Sequence, residues 1–343
     1  MYLLNPDLPV VKPGFQGNLW KNKQFDGGAY GSSQASFKKI IQWQLSQNPQ
    51  KSEKEADDFR LKVHRNTSFI TSDEDVIVWL GHASFFIRIN GVSFLTDPCF
   101  KDLPLLKRMA ALPCSIYDLI GIDYLMLSHG HRDHYDEKSV NQLLDQNPKM
   151  ELLLPLRLSE LLGKRRKHTK YQEAAWWQQF KLPHDDLEVV FLPAKHWNRR
   201  YLRDFNKQLW GSFMIKTPQM KVYFGGDSAQ ADHFSEIRQI MGSPDVCMLP
   251  VGAYKPSYVM KEAHMHPKEA VDAFHDLGGR YMIPMHYGTY DLSDEPVGEP
   301  ARILRDLEKR GDIQGYLQMM DIGERLLVTD LDNKELRESP SSL

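Results

Sequence analysis

Three cysteines in 343 residues, Cys99, Cys114 and Cys247, cannot supply a disulfide framework. Their number is odd, their spacings are wide and no CxxC pair occurs, which fits a reducing compartment. Long apolar runs are also missing. No stretch of about 18 uninterrupted apolar residues exists, so no segment is expected to span a bilayer. The start, "MYLLNPDLPVVKPGFQGN", lacks a basic region followed by a long apolar one, so no signal peptide is expected. These absences point to a cytoplasmic protein. An excess of one charge is lacking too: 43 Lys and Arg face 45 Asp and Glu, for a net charge of -2. Nucleic acid is therefore not an expected partner, since such proteins usually carry a basic excess.

What remains is ordinary globular material, 41% hydrophobic and 26% charged. The length permits one large domain or two ordinary ones, with a substantial core. Residues 1–35 read as an extended arm rich in Pro and Gly. "SFKKIIQWQLSQN" sets Phe37, Ile40, Ile41 and Leu45 at helical spacing and predicts an amphipathic helix. "PQKSEKEADDFR" reads as a solvated linker. From Asp75 short β-rich runs dominate. "SFFIRIN" and "VSFLTD" meet at Asn90-Gly91, a hairpin signal. "DYLMLS", "MELLLPL", "LEVVFLPA", "WGSFMIKT", "KVYFGGD", "DVCMLPV", "RYMIPMH" and "RLLVTD" follow. Helical patterns fall between them in "DEKSVNQLLDQN", "FSEIRQIM", "HPKEAVDAFHDLG" and "PARILRDLEKRG". The expected organisation is an arm and helix over 1–74 packed on a main domain over 75–343, with sheets covered by helices on their outer faces. No internal repeat is visible in the sequence.

The polar residues of interest sit at strand ends. "LSHGHRDHYD", residues 127–136, crowds His129, His131, Asp133 and His134 directly after an apolar run. Residues two apart on a strand point the same way, so His129 and His131 can converge. Asp133 and His134 follow in a turn towards a helix. A lone histidine is more often a satisfied polar residue, but four ligand types in six positions are not. Downstream, "LPAKHWN" ends a strand at His196, "VYFGGDS" at Asp227 and "MIPMHYGTY" at His286. Imidazoles and carboxylates suit Zn and similar divalent ions. Seven ligands make two sites, three for each metal and one shared carboxylate.

The order HxHxDH, His, Asp, His resembles the metallo-β-lactamase superfamily over roughly residues 75–330. "WLGHASFFIRINGVSFLTDPCF", "LPAKHWNRR", "NKQLWGSFMI", "GGDSA", "LPVGAYKP" and "HMHPKEAVDAF" resemble, within it, the N-acyl-phosphatidylethanolamine-hydrolysing phospholipase D group and its bacterial relatives. "GHASFFI" also resembles the branch containing L-ascorbate-6-phosphate lactonase. The resemblance implies an α+β four-layer αββα sandwich with metals at the sheet edges. It assigns His129, His131 and His196 to one metal, Asp133, His134 and His286 to the other, and Asp227 to both. It places His264 beside a substrate phosphate. Gly130, Arg132, Ser228 and His266 stand where that group usually carries other residues, which leaves the ligands intact and the substrate open.

The implied reaction is hydrolysis by a bridging hydroxide whose pKa two cations lower. Zn is the favoured metal, with Mn and Fe as alternatives. Asp133 and Asp227 would also position the nucleophile, and His264 would donate to a phosphate oxygen or give a proton. A phosphodiesterase of phospholipase D type, acting on a small-molecule or lipid substrate, is the leading expectation. A lactonase or other carbonyl hydrolase acting on a phosphorylated metabolite is the alternative; a nuclease and a non-catalytic scaffold rank lower. Asp97 is expected to orient a ligand histidine. His82 is open between support of the site and a structural role, and His266 between a site residue and a helix start. "FKDLPLLKRMAALP", residues 100–113, with Leu103, Leu105, Leu106, Met109, Lys107 and Arg108, suggests core packing, with peripheral membrane contact as the minority reading. "KRRKH" at 164–168 reads as a solvated helix end. A homodimer is a family expectation.

Overall fold

The computed structural model describes residues 1–31, 37–103, 106 and 108–331. The run "VIVWL" shows how the chain builds two cores at once. Val76, Val78 and Leu80 face one hydrophobic cluster, whereas Ile77 and Trp79 face another. Side chains alternate across a strand. A strand buried on both faces therefore reads as a continuous apolar run. Ser84–Ile89 divides in the same way, with Phe85 and Ile87 on one side and Phe86 on the other.

Two seven-stranded sheets result. The first runs Arg325–Leu327, Val76–Gly81, Ser84–Ile89, Val92–Thr96, Tyr124–Met126, Glu151–Pro155, Tyr171–Ala174. The second runs Gln178–Gln179, Glu188–Leu192, Ser212–Lys216, Lys221–Phe224, Val246–Pro250, Tyr281–Met285, Tyr316–Leu317. In each sheet three antiparallel pairings are followed by three parallel ones. This pseudo-repeat has no counterpart in residue identity. Helix Glu137–Gln146 packs Val140 and Leu143 into the outer cluster of the first sheet. Helices His233–Met241, Pro267–Leu277 and Glu299–Lys309 bury Phe234, Phe274 and Leu304 with the second. The architecture is the expected αββα sandwich. The hairpin at Asn90-Gly91 forms with both residues at positive φ, 51° and 72°, as a tight two-residue turn requires. No helix among the described residues is long and apolar enough to cross a membrane.

The N-terminal arm is more ordered than its composition predicts. Tyr2–Leu3, Asn18–Lys21 and Gln24–Phe25 form a small sheet. Residues 9–11 lie along the edge strand of the second sheet: Val11 N donates to Trp177 O at 2.8 Å and Gln179 N to Pro9 O at 3.0 Å. The arm thus covers an otherwise open sheet edge, and Leu8 and Phe25 enter the main core.

The helix Phe37–Leu45 exists, but its expected apolar face is not fully covered. Ile41 is 38% and Leu45 82% exposed. The segment read as a linker contains a short helix, Lys51–Ala56. In 100–113, Leu103 is buried with Cys99 and Tyr290, and Leu106 packs against them. Leu105 and Lys107 lie outside the described residues. Arg165 and Arg166 in the basic run pair with Asp145 and the Tyr171 hydroxyl at the surface.

Candidate metal centre

Four chain segments deliver the site, each leaving the end of a strand. Tyr124–Met126 leads to His129, Glu188–Leu192 to His196, Lys221–Phe224 to Asp227 and Tyr281–Met285 to His286. The sheets meet closely at this edge. Gly211 N donates to Ser128 O at 3.1 Å. Gly226 has φ +56°, and a Cβ there would lie 2.8 Å from the Ser128 Cβ. Glycine is therefore required at 226 for Asp227 to reach the centre. After His131 the chain turns, with Tyr135 N donating to His131 O at 2.8 Å. Asp136 then caps the following helix. That turn carries Asp133 and His134 back towards the strand ends.

The seven expected ligands converge. His131 Nδ1 lies 2.8 Å from His129 Nε2 and 3.2 Å from His196 Nε2. Asp227 Oδ2 is 3.9 Å from His129 Nε2 and 3.8 Å from His196 Nε2. The same oxygen is 3.2 Å from His134 Nε2, and Asp227 Oδ1 is 3.3 Å from His286 Nε2. Asp133 Oδ2 stands 3.7 Å from His134 Nε2 and 3.6 Å from His286 Nε2. Among the described residues the seven fall into two groups, His129, His131, His196 and Asp227, and Asp133, His134 and His286 with His82, while Asp97 with His129 and His134, and His264 with Asp227 and His286, form overlapping groups; each spans no more than 4.8 Å. Asp227 lies between the first two.

The chemistry of the donors fits divalent cations. His134 Nε2, His286 Nε2 and Asp227 Oδ1 are buried and have no hydrogen-bond partner among the described residues, a costly state unless something binds there. Burial pushes His129 and His196 well below the usual histidine range, which leaves them neutral and able to ligate. Burial opposes ionisation of Asp133 and Asp227, but the surrounding histidines, His134 foremost, hold both carboxylates well below their usual range. Against the same burial, the Asp227 and Asp133 carboxylates push His134 well up, and His286 to about 9.

The outward ring nitrogens are mostly anchored, as metal-binding imidazoles require. His134 Nδ1 meets Asp97 Oδ2 at 2.7 Å. His129 Nδ1 meets Ser128 Oγ at 2.9 Å, and His196 Nδ1 meets Ala263 O at 3.0 Å. Asp97 thus takes the place expected for it. Ser128 and Ala263 were not foreseen. Ser128 could have been suspected from its position before His129; a backbone acceptor leaves no sequence signal. Asn198 was also missed: its Oδ1 accepts from Gly130 N at 2.8 Å and fixes the peptide between His129 and His131.

His264 lies at the rim, 15% exposed, with Nδ1 4.0 Å from Asp227 Oδ2. His266 does not join the centre. It caps helix Pro267–Leu277, accepting from Lys268 N at 3.1 Å while its own N–H meets Glu269 at 2.8 Å, a capping box.

Residues 93–287, more than half of the chain, match the family described as the Beta-lactamase superfamily domain. The chain belongs to this superfamily. It is 29% identical over 341 residues to N-acyl-phosphatidylethanolamine-hydrolyzing phospholipase D 1 of Caenorhabditis elegans, covering 94% of this chain and 96% of that protein. The mitochondrial N-acyl-phosphatidylethanolamine-hydrolyzing phospholipase D of Saccharomyces cerevisiae is 28% identical over 256 residues, 72% of this chain and 54% of that one; the chain spans about half of the yeast protein. Among solved structures, the metallo hydrolase Igni18 of Ignicoccus hospitalis superposes with a TM-score of 0.55 at 18% identity over 74% of this chain and 97% of that one, a likeness of fold. This β-lactamase superfamily member is a metal-dependent hydrolase.

Proposed function

We propose that the protein is a dinuclear phosphodiesterase of the phospholipase D type, acting on a phospholipid or a related phosphodiester. The observation that carries this reading is a complete seven-residue cage on a chain similar over nearly its whole length to a phospholipase D. His129, His131 and His196 would hold one ion and Asp133, His134 and His286 the other, with Asp227 shared. The histidine-rich set favours Zn. Two divalent ions bound there would acidify water and neutralise charge on a phosphoryl oxygen.

The protein's own groups do the rest. Asp133 and Asp227, held ionised, accept hydrogen bonds from the attacking water and fix its direction. The water oxygen bonds to phosphorus as the bond to the departing oxygen breaks, and one proton of that water ends on the departing oxygen, so that an alcohol leaves. Burial pushes His264 down to about 4, so at neutral pH it is a neutral N–H donor. Its position beside Asp227 suits a contact to a phosphoryl oxygen.

A panel of bis(p-nitrophenyl) phosphate, a phospholipid, a phosphosugar lactone and a short RNA tests the proposal. Turnover of the first two is expected, and its loss in Asp227→Ala. Turnover of the lactone with neither non-nucleotide phosphodiester cleaved would replace the reading with a carbonyl hydrolase.

A further inference from the structure

We infer that His82 is a positioning residue of the metal centre, donating its Nε2–H to Asp133 Oδ2 and thereby setting which way that carboxylate faces. The inference rests on the dinuclear reading above and deepens it. His82 occupies the turn between strands Val76–Gly81 and Ser84–Ile89. Its φ is 55°, a left-handed conformation uncommon for a residue with a Cβ. The backbone is held there from three sides. His82 N donates to Thr289 Oγ1 at 2.8 Å, Trp79 Nε1 donates to His82 O at 2.9 Å, and His286 N donates to the same oxygen at 3.1 Å. His286 is itself left-handed, with φ 64°. The two imidazole rings lie 4.1 Å apart between centroids. The backbone that shapes the turn thus also shapes a proposed metal ligand.

The side chain is aimed into the centre and sealed. It is 1% exposed, and Nε2 lies 3.0 Å from Asp133 Oδ2. An ionised carboxylate only accepts hydrogen bonds, so the imidazole proton belongs on Nε2. Nδ1 has no partner among the described residues and keeps its lone pair. The Tyr290 ring meets the imidazole edge-to-face at 5.2 Å and closes the remaining side. A protonated Nε2 cannot ligate a cation, which separates His82 from the residues proposed as ligands, although its nitrogen lies within their group. The role is needed because Asp133 is the most exposed member of its group, at 18%, on a turn rather than a strand. A ligating carboxylate is normally fixed by an outer hydrogen bond.

The test is cobalt titration of the metal-free full-length protein, followed by visible absorption and metal content, with kcat and KM on bis(p-nitrophenyl) phosphate. Three variants are compared with the wild type. His82→Asn tolerates the left-handed backbone and cannot reach Asp133. His82→Leu removes the donor at similar volume. His82→Gln restores an N–H donor with longer reach. The wild type is expected to bind two ions. Asn and Leu variants should still bind two, but the weaker affinity and kcat should fall about 10–100-fold, as for other outer hydrogen-bond partners. Their absorption bands should shift while KM holds, and Gln should recover most of the loss. If Leu does not fold, Asn carries the comparison. Wild-type affinity and spectrum in Asn and Leu would overturn the inference. So would loss of one whole ion from all three variants, which would make His82 a ligand. A wild type that takes up a single ion would instead overturn the dinuclear reading, and this inference with it.

Discussion

Replacing Asp97 by asparagine tests how strictly the protein controls a single ring tautomer. Asp97 is fully buried. Its Oδ1 accepts from Ser128 N at 2.7 Å, and its Oδ2 accepts from the Ser128 hydroxyl and from His134 Nδ1, the latter at 2.7 Å. Asparagine has the same shape but one oxygen fewer. It cannot choose freely which end to present, because a backbone N–H cannot become an acceptor. The amide oxygen must therefore stay on Ser128 N, and the NH2 must face His134. His134 then accepts at Nδ1 and carries its proton on Nε2, the atom 3.2 Å from Asp227 Oδ2 at the centre. A protonated Nε2 cannot bind a cation. Loss of such an outer partner costs about 10–100-fold in metal affinity or activity, or about 1.4–2.8 kcal/mol. The assay is equilibrium competition against a chelator of known affinity, with kcat on a phosphodiester read in parallel. Ser128→Ala is the comparison: it removes the hydroxyl that meets both Asp97 Oδ2 and His129 Nδ1 but leaves the Asp97 carboxylate on His134 Nδ1, so it separates loss of a hydroxyl from a change of the His134 tautomer. Wild-type affinity and kcat in Asp97→Asn would refute the tautomer argument.

Gly130→Ala should lower stability by about 1–3 kcal/mol through overpacking, because its Cβ would lie 2.9 Å from Asn198 Oδ1 and 3.0 Å from Leu161 Cδ1; urea denaturation reads this, and an unchanged midpoint would contradict it. His264→Ala should retain both metals by elemental analysis but lose about 10²–10⁴-fold in kcat, since His264 belongs to neither proposed ligand trio. His233 is fully buried against Ser228 Oγ at 3.1 Å, and burial, with Lys195 adding to it, pushes it from 6.5 to about 3. Its folded-state pKa lies below the unfolded one, so the unfolded chain binds the extra proton between them. The stability gained from a neutral His233 is complete above about pH 6.5 and is lost as pH falls towards 3. Relative to His233→Phe, the wild type should therefore weaken on acidification across that window. Parallel stability–pH curves for the two proteins would show that His233 contributes nothing.

The parts of this molecule that could be read from the sequence are those whose chemistry is rare and whose placement is local. A histidine or aspartate directly after an apolar β run is conspicuous, and His129, His196, Asp227 and His286 each announced a strand end. Convergence followed because, in the second sheet, the strands before His196, Asp227 and His286 run in one direction, the first two both antiparallel to Ser212–Lys216, and so end at one edge. The supporting groups were hidden for the opposite reason. Thr289 and Asn198 are common residue types, and their duties arise only from contacts that span 207 and 68 positions. Ala263 acts through its carbonyl, which every residue possesses. The pseudo-repeat was equally hidden, because strand order is set by which edges meet and not by which faces are apolar. The helix Phe37–Leu45 shows the limit of periodicity from the other side: the spacing sufficed for a helix, yet Leu45 remains in solvent, since a pattern specifies a face and not the surface that covers it. His82 falls between these cases. Its residue type was conspicuous, but its proposed role depends on a carboxylate 51 positions away and on a left-handed turn that only the folded backbone reveals. In this protein the proposed primary ligands are written in residue type, whereas the groups that set their protons and orientations are written in tertiary contact.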